Sequence, residues 1–82
     1  MQYLLTYRSL TYAQRAGRVL ERAGVTGWLM KVPRDASARG CAYCVAVPAR
    51  YRDRAVAVLT GAHLAPERVL LRRDDGSWEA AE

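Results

Sequence analysis

Gly27-Trp28-Leu29-Met30-Lys31-Val32-Pro33-Arg34-Asp35-Ala36-Ser37-Ala38-Arg39-Gly40-Cys41-Ala42-Tyr43-Cys44-Val45-Ala46-Val47 is the stretch that decides the fold. Both of its ends alternate. Gly27 to Val32 puts Trp28, Met30 and Val32 on one face of a strand. Ala42 to Val47 puts Tyr43, Val45 and Val47 on the bulkier face of the next. Pro33 closes the first strand because it cannot donate to a ladder. From Val32 to Cys44 neither the helical nor the strand period is kept, so two strands follow one another across a loop with no helix between them.

On the N-terminal side, Tyr3 to Tyr7 alternates as a strand, with Tyr3, Leu5 and Tyr7 on one face and Leu4 and Thr6 on the other. Ser9 or Thr11 can cap a helix that runs to about Ala23, since a short hydroxyl accepts from the free N–H groups of a first turn. Tyr12, Ala13, Ala16, Val19, Leu20 and Ala23 recur at three- and four-residue steps as its buried stripe. Gly24 suits the left-handed residue past its end, and Gly17 suggests close packing of the helix on the sheet. On the C-terminal side, Pro48 suits the entry to a second helix whose stripe is Tyr51, Ala55, Val58, Leu59 and Ala62. Pro66 precedes a fourth strand at Val69 to Leu71 or Arg72, and Asp75-Gly76 is a two-residue turn that can fold the tail back through Trp78.

The expected order is strand, helix, strand, strand, helix, strand. That is an α+β, ferredoxin-like (βαββαβ) plan. It predicts a four-stranded antiparallel sheet in the order 4-1-3-2 with both helices on one face, because the bulky strand faces and both helix stripes must be buried together. The expected core holds Leu5, Tyr7, Leu20, Val45, Val58 and Leu59. Residues 1–82 make one domain, with 73–82 as a C-terminal hairpin or tail.

Composition narrows the setting. A hydrophobic content of 51% is ample for a packed globule, although a chain of 82 residues buries a modest core that an oligomer would help. No uncharged run approaches the roughly 20 apolar residues of a membrane span, so no membrane partner is expected. Met1-Gln2-Tyr3-Leu4-Leu5 lacks the basic start and long apolar core of a signal peptide, and a cytoplasmic protein is expected. Twelve of the 13 cations are arginine and the net charge is +5, which points either to a phosphate-rich partner or to arginines that solvate helix faces. The second reading is preferred, because Arg8, Arg15, Arg18, Arg22, Arg50, Arg52 and Arg54 all fall where helix surfaces are expected.

The chemistry-bearing side chains gather in the central loop. Cys41 sits between flexible Gly40 and the third strand, with Arg34 and Arg39 upstream. Cations and free N–H groups favour a thiolate, the form in which a cysteine is a nucleophile or sulfur carrier. The bland alternative is a small cysteine filling a gap. Cys41-Ala42-Tyr43-Cys44 is formally a CxxC, but it leads into a strand rather than a helix, and residues three apart in a strand point to opposite faces. Two cysteines and the single His63 leave a tetrahedral zinc site short of a ligand, so no metal is expected. Arg39-Gly40-Cys41-Ala42-Tyr43-Cys44-Val45-Ala46 also resembles a degenerate RNP1 with Tyr43 as its stacking residue and Tyr3 as partner, but aromatics are missing at Cys41 and Ala46. Nucleic acid is therefore not the expected partner.

Tyr3-Leu4-Leu5-Thr6-Tyr7-Arg8-Ser9, the helix end Ala23-Gly24-Val25, and Val32-Pro33-Arg34-Asp35-Ala36-Ser37 leading to Cys41 together resemble a family of small bacterial domains of unknown function, the selenium/sulfur carrier protein-like family. The resemblance covers about residues 1–73, and Pro33-Arg34, Ser37 and the following cysteine are its most specific part. Family members usually carry glycine after that cysteine, where Ala42 stands here. The resemblance implies a carrier or accessory protein rather than a stand-alone enzyme. Cys41 would hold sulfur or selenium as a persulfide-type species, without a cofactor, in concert with a donor or acceptor protein. On that reading Arg34 and Arg39 favour the anionic form, Ser37 and Gly40 shape the loop, and Cys44 is an accessory thiol of lower reactivity. The alternative is a non-catalytic module that binds RNA or a protein through an open sheet face; an exposed apolar face there would itself suggest a homodimer.

Overall fold

Gln2–Tyr7 forms β1, the middle strand of the sheet in a computed structural model that describes residues 1–32 and 43–81. Helix α1 (Leu10–Arg22) follows, then β2 (Trp28–Lys31), β3 (Tyr43–Pro48), a 3-10 turn (Ala49–Tyr51), helix α2 (Arg52–Gly61), β4 (Arg68–Arg72) and β5 (Trp78–Ala80). The sheet runs β2-β3-β1-β4-β5, and every neighbouring pair is antiparallel. The expected order of the first four strands is kept. The expected strand count is corrected from four to five.

The fifth strand comes from the Asp75-Gly76 turn. Gly76 adopts a φ of 89° that side chains disfavour, and its N–H donates to the Arg73 carbonyl at 2.9 Å. The Asp75 carboxylate accepts from both the backbone N–H and the hydroxyl of Ser77, at 2.8 and 2.6 Å. Those bonds hold Asp75's carboxyl below its ordinary range. The turn brings Trp78 opposite Arg72, so the tail adds to the sheet edge as a strand.

Local chemistry explains both helix boundaries. The Ser9 hydroxyl accepts from the Tyr12 N–H at 3.2 Å and caps α1. At its far end Gly24 takes a φ of 76°, the Gly24 N–H donates to Glu21, and the Val25 N–H donates to Leu20 at 2.9 Å. That is a Schellman end, and its apolar partner Val25 is buried. Helix α2 ends the same way, with Leu64 N–H donating to the Leu59 carbonyl at 2.8 Å, but the left-handed position is filled by His63, at a φ of 61°.

Both helices pack on one face of the sheet. Leu5, Tyr7, Val45, Val47 and Val69 from the strands meet Ala13, Ala16, Leu20, Ala55 and Leu59 from the helices. Five of the six expected core residues are buried; Val58 is partly buried against this cluster. Two expected members of the helix stripes lie outside it. Ala62 is exposed at the end of α2, and Tyr12 is 51% exposed with the Arg15 guanidinium 5.8 Å from its ring centre. At about 100° per residue Tyr12 stands a quarter-turn to the side of Ala13, off the buried stripe. Close packing at Gly17 is also corrected, because a Cβ there would meet nothing within 4 Å. The glycine that permits close approach is Gly27, where a Cβ would lie 2.8 Å from Val45 Cγ1.

The opposite face carries a second, smaller cluster of Leu4, Val32, Cys44, Ala46 and Leu70, with Met30 and Trp78 packed beside it. Leu4 pairs with Ala46 on one side and Leu70 on the other, and Thr6 lies between Cys44 and Arg68. Central strands buried on both faces have near-continuous burial, as β1 and β3 do.

Candidate functional site

Lys31 and Tyr43 are register partners, so β2 leaves the sheet and β3 re-enters it at one point. Tyr43 in turn pairs with Tyr7, the last residue of β1. The end of β1, the start of α1 and both anchors of the central loop therefore share one end of the sheet. Cys41 stands two residues before Tyr43 in the chain. Cys41 itself, with Arg34, Ser37, Arg39 and Gly40, lies outside the described residues.

The other thiol is well defined. Cys44 is a free, fully buried cysteine on β3, between Met30 of β2 and Thr6 of β1. Burial pushes its thiol up to about 11, against a smaller opposite pull from the Arg72 charge. Its thiolate population at neutral pH is then on the order of one in ten thousand. Both properties make it a poor nucleophile. Its place in β3 also sets it apart from the cysteines of dithiol redox sites, which sit at a helix N-terminus. Among the described residues, no group of three or more His, Cys, Asp and Glu side chains could hold a metal ion.

Around the loop anchors, the Tyr7 hydroxyl donates to the Leu64 carbonyl at 2.6 Å, and burial raises its phenol far above the ordinary value. The Thr6 hydroxyl accepts from the Arg68 N–H at 3.0 Å and donates to the Arg68 carbonyl at 3.3 Å. The Thr6 bonds tie β1 to the first residue of β4, the Tyr7 bond ties it to the segment before β4, and together they hold that end of the sheet. An open pocket of about 320 Å³ lies beside them, lined by Tyr7, Arg8, Tyr12, His63, Leu64 and Glu67, among others. Arg8 and Glu67 approach within 3.8 Å at its mouth. No spacing in the sequence marks Arg8, Tyr12 and His63 as neighbours; the one local signal is the Arg8-Ser9 step that joins a strand end to a helix cap.

The proposed stacking pair falls on the covered side. Tyr43 and Tyr3 both pack against the helix-side core, and the Arg52 guanidinium lies 5.4 Å from the Tyr3 ring centre. On the opposite face Leu4, Thr6, Cys44, Ala46 and Leu70 are each at most 1% exposed. Tyr43 and Tyr3 therefore form no bare aromatic platform, whereas Trp28, the register partner of Ala46 on the face away from the helices, is 48% exposed.

A family model described as "Putative Se/S carrier protein-like" matches residues 2–70. No curated protein and no solved structure gives a match. Among the described residues no helix is long and apolar enough to cross a membrane.

Proposed function

Because the chain belongs to the Se/S carrier protein-like family, we propose that it carries sulfur or selenium on Cys41 and passes it between partner proteins. The observation that carries this reading is the state of the only other thiol. Cys44 is sealed in the sheet and its thiol is pushed up to about 11, so the thiol left for chemistry is Cys41.

The step is a transfer between sulfurs. Cys41 loses its proton to solvent, and the thiolate attacks the terminal sulfur of a donor's persulfide. A new S–S bond forms at Cys41 while the donor's S–S bond breaks, and the donor departs as a thiolate that takes up a proton. Electrons balance without an external oxidant, so the reaction calls for no cofactor. Selenium in the terminal position follows the same path. Arg34 and Arg39 favour the anionic sulfur through their charge, and Ser37 and Gly40 shape the loop that offers it. A carrier of this kind must meet a donor and then an acceptor, which makes it an accessory protein rather than a complete enzyme.

The test is intact-mass spectrometry of protein purified without reductant, in the wild type and in Cys41→Ser and Cys44→Ser. An added sulfur or selenium atom is expected on the wild type and on Cys44→Ser, and not on Cys41→Ser. Alkylation followed against pH should give one fast phase that Cys41→Ser abolishes and that the pair Arg34→Ala, Arg39→Ala slows at neutral pH. A fast phase that vanishes with Cys44→Ser instead, or no reaction before unfolding, ends the carrier assignment.

A further inference from the structure

The outer crest of α1 is cationic. On a helix, residues at steps of three and four share one face. Arg15, Arg18 and Arg22 share the side diametrically opposite the buried Ala13, Ala16 and Leu20, and all three are exposed. They span about 10 Å along the axis at 1.5 Å per residue. None of the three has an acidic group within ion-pair distance among the described residues, although Glu21 borders the groove beside Arg18 and Arg22. Other arginines of the helix layer are engaged: Arg52 donates to the Asp53 carboxylate and the Ala81 carbonyl, and Arg54 donates to the Ala23 carbonyl. Like charges at these spacings repel one another slightly, which Arg22 offsets in part by standing in the last turn at the negative end of the helix dipole.

The crest continues into an aromatic. Tyr12 is half exposed, lies in cation–π contact with Arg15, and lines the pocket that also takes in Arg8 and His63. A row of guanidinium groups matches successive phosphates, which they can grip in bidentate fashion. An exposed ring at the end of such a row offers a face on which an unpaired base can stack. We infer that the Arg15–Arg18–Arg22 crest of α1, with Tyr12 at its head, is a docking surface for single-stranded nucleic acid. The phosphate backbone lies along the crest and a base stacks at Tyr12. This site is separate from the two sheet faces and does not depend on the carrier reading of Cys41.

The experiment is fluorescence anisotropy with a labelled oligouridine of twelve nucleotides at low salt, repeated as salt is raised. Binding should weaken with a logarithmic slope of about −2, as expected when roughly three phosphates are neutralised. Arg18→Gln with Arg22→Gln should lose about tenfold in affinity and reduce that slope by roughly 1.4. Lys31→Gln with Arg50→Gln removes the same charge from outside the crest and should lose no more than about twofold. Tyr12→Ala should lose fivefold or more, about the lower bound for one stacked base, while Tyr12→Phe retains binding. Circular dichroism confirms that each variant keeps its helices. The assignment is overturned by an absence of binding at low salt or by equal losses in the two arginine and lysine pairs. Competition by poly-L-glutamate as effective, charge for charge, as oligouridine also overturns it, since the surface would then take an acidic protein.

Discussion

The two faces of the sheet are built from alternate residues of the same strands, yet they pack differently. On the helix side β1 and β3 contribute Tyr3, Leu5, Tyr7, Tyr43, Val45 and Val47. On the other side they contribute Leu4, Thr6, Cys44 and Ala46, which are smaller on average and include a hydroxyl and a thiol. Bulky side chains fill the space between a sheet and helices, whose axes stand well away from it. The difference teaches that side-chain size, and not hydrophobicity alone, marks which face carries the helices. It also shows that a cysteine on the face away from the helices can be fully buried and chemically quiet.

The largest effect should separate the two faces directly. Leu5→Ala removes a side chain from the larger cluster and should cost toward the upper end of the roughly 2–5 kcal/mol seen for such truncations. Leu4→Ala, whose register neighbours are Ala46 and Leu70, should cost toward the lower end. Urea unfolding of both variants measures the difference. Equal losses would mean that the two faces are packed alike.

Cys44 gives a pH-dependent version of the same contrast. Its folded value of about 11 lies above the ordinary 9.0, so the folded state holds its proton more firmly than the unfolded chain does. The stability this provides is full below about pH 9 and is lost as pH rises toward 11, where the unfolded thiol ionises and the folded one does not. Relative to Cys44→Ala, the wild type should lose roughly 2 kcal/mol across that window. Paired urea titrations at several pH values measure this, and parallel curves would show that the thiol is solvated.

Each face also has one polar anchor near the loop end. Tyr7→Phe leaves the Leu64 carbonyl without its donor and should cost about 1 kcal/mol. Thr6→Val should cost a similar amount, through the bonds to Arg68. A loss in either variant well below that would show that water replaces the hydroxyl there. The smallest effect lies away from both faces. Gly17→Ala fills open space on α1 and should stabilise by somewhat under 1 kcal/mol, read as a rise in the urea midpoint.

Much of this arrangement was legible in the residues. Two alternating runs without a helix between them, flanked by stripes of helical period, were enough for the strand order and for both helices on one face. Ser9 and Gly24 marked the limits of α1 through chemistry that acts within one turn. What escaped depended on contacts distant in sequence. Gly27 serves Val45 across the sheet, and nothing adjacent to it in the chain announces that. His63 fills a left-handed position usually given to glycine, so its role at the end of α2 does not follow from residue type. Tyr12 passed as a core residue because a stripe drawn from step sizes is wider than the strip a sheet can cover. The candidate site divided in the same way: Cys44's place on an alternating strand was legible, but its full burial on the face away from the helices was not, and the pocket beside Tyr7 is assembled from three separate elements.

The pairing of Lys31 with Tyr43 has an evolutionary corollary. Once both ends of a loop are fixed by sheet register, doubling its length costs only about 0.6 kcal/mol of closure entropy. Insertions and deletions between these two anchors are thus nearly neutral for the scaffold, while a one-residue slip within β2 or β3 would turn each side chain to the wrong face. Selection can therefore lengthen, shorten and re-letter the cysteine-bearing segment at a pace of its own, while the strands that hold it stay fixed.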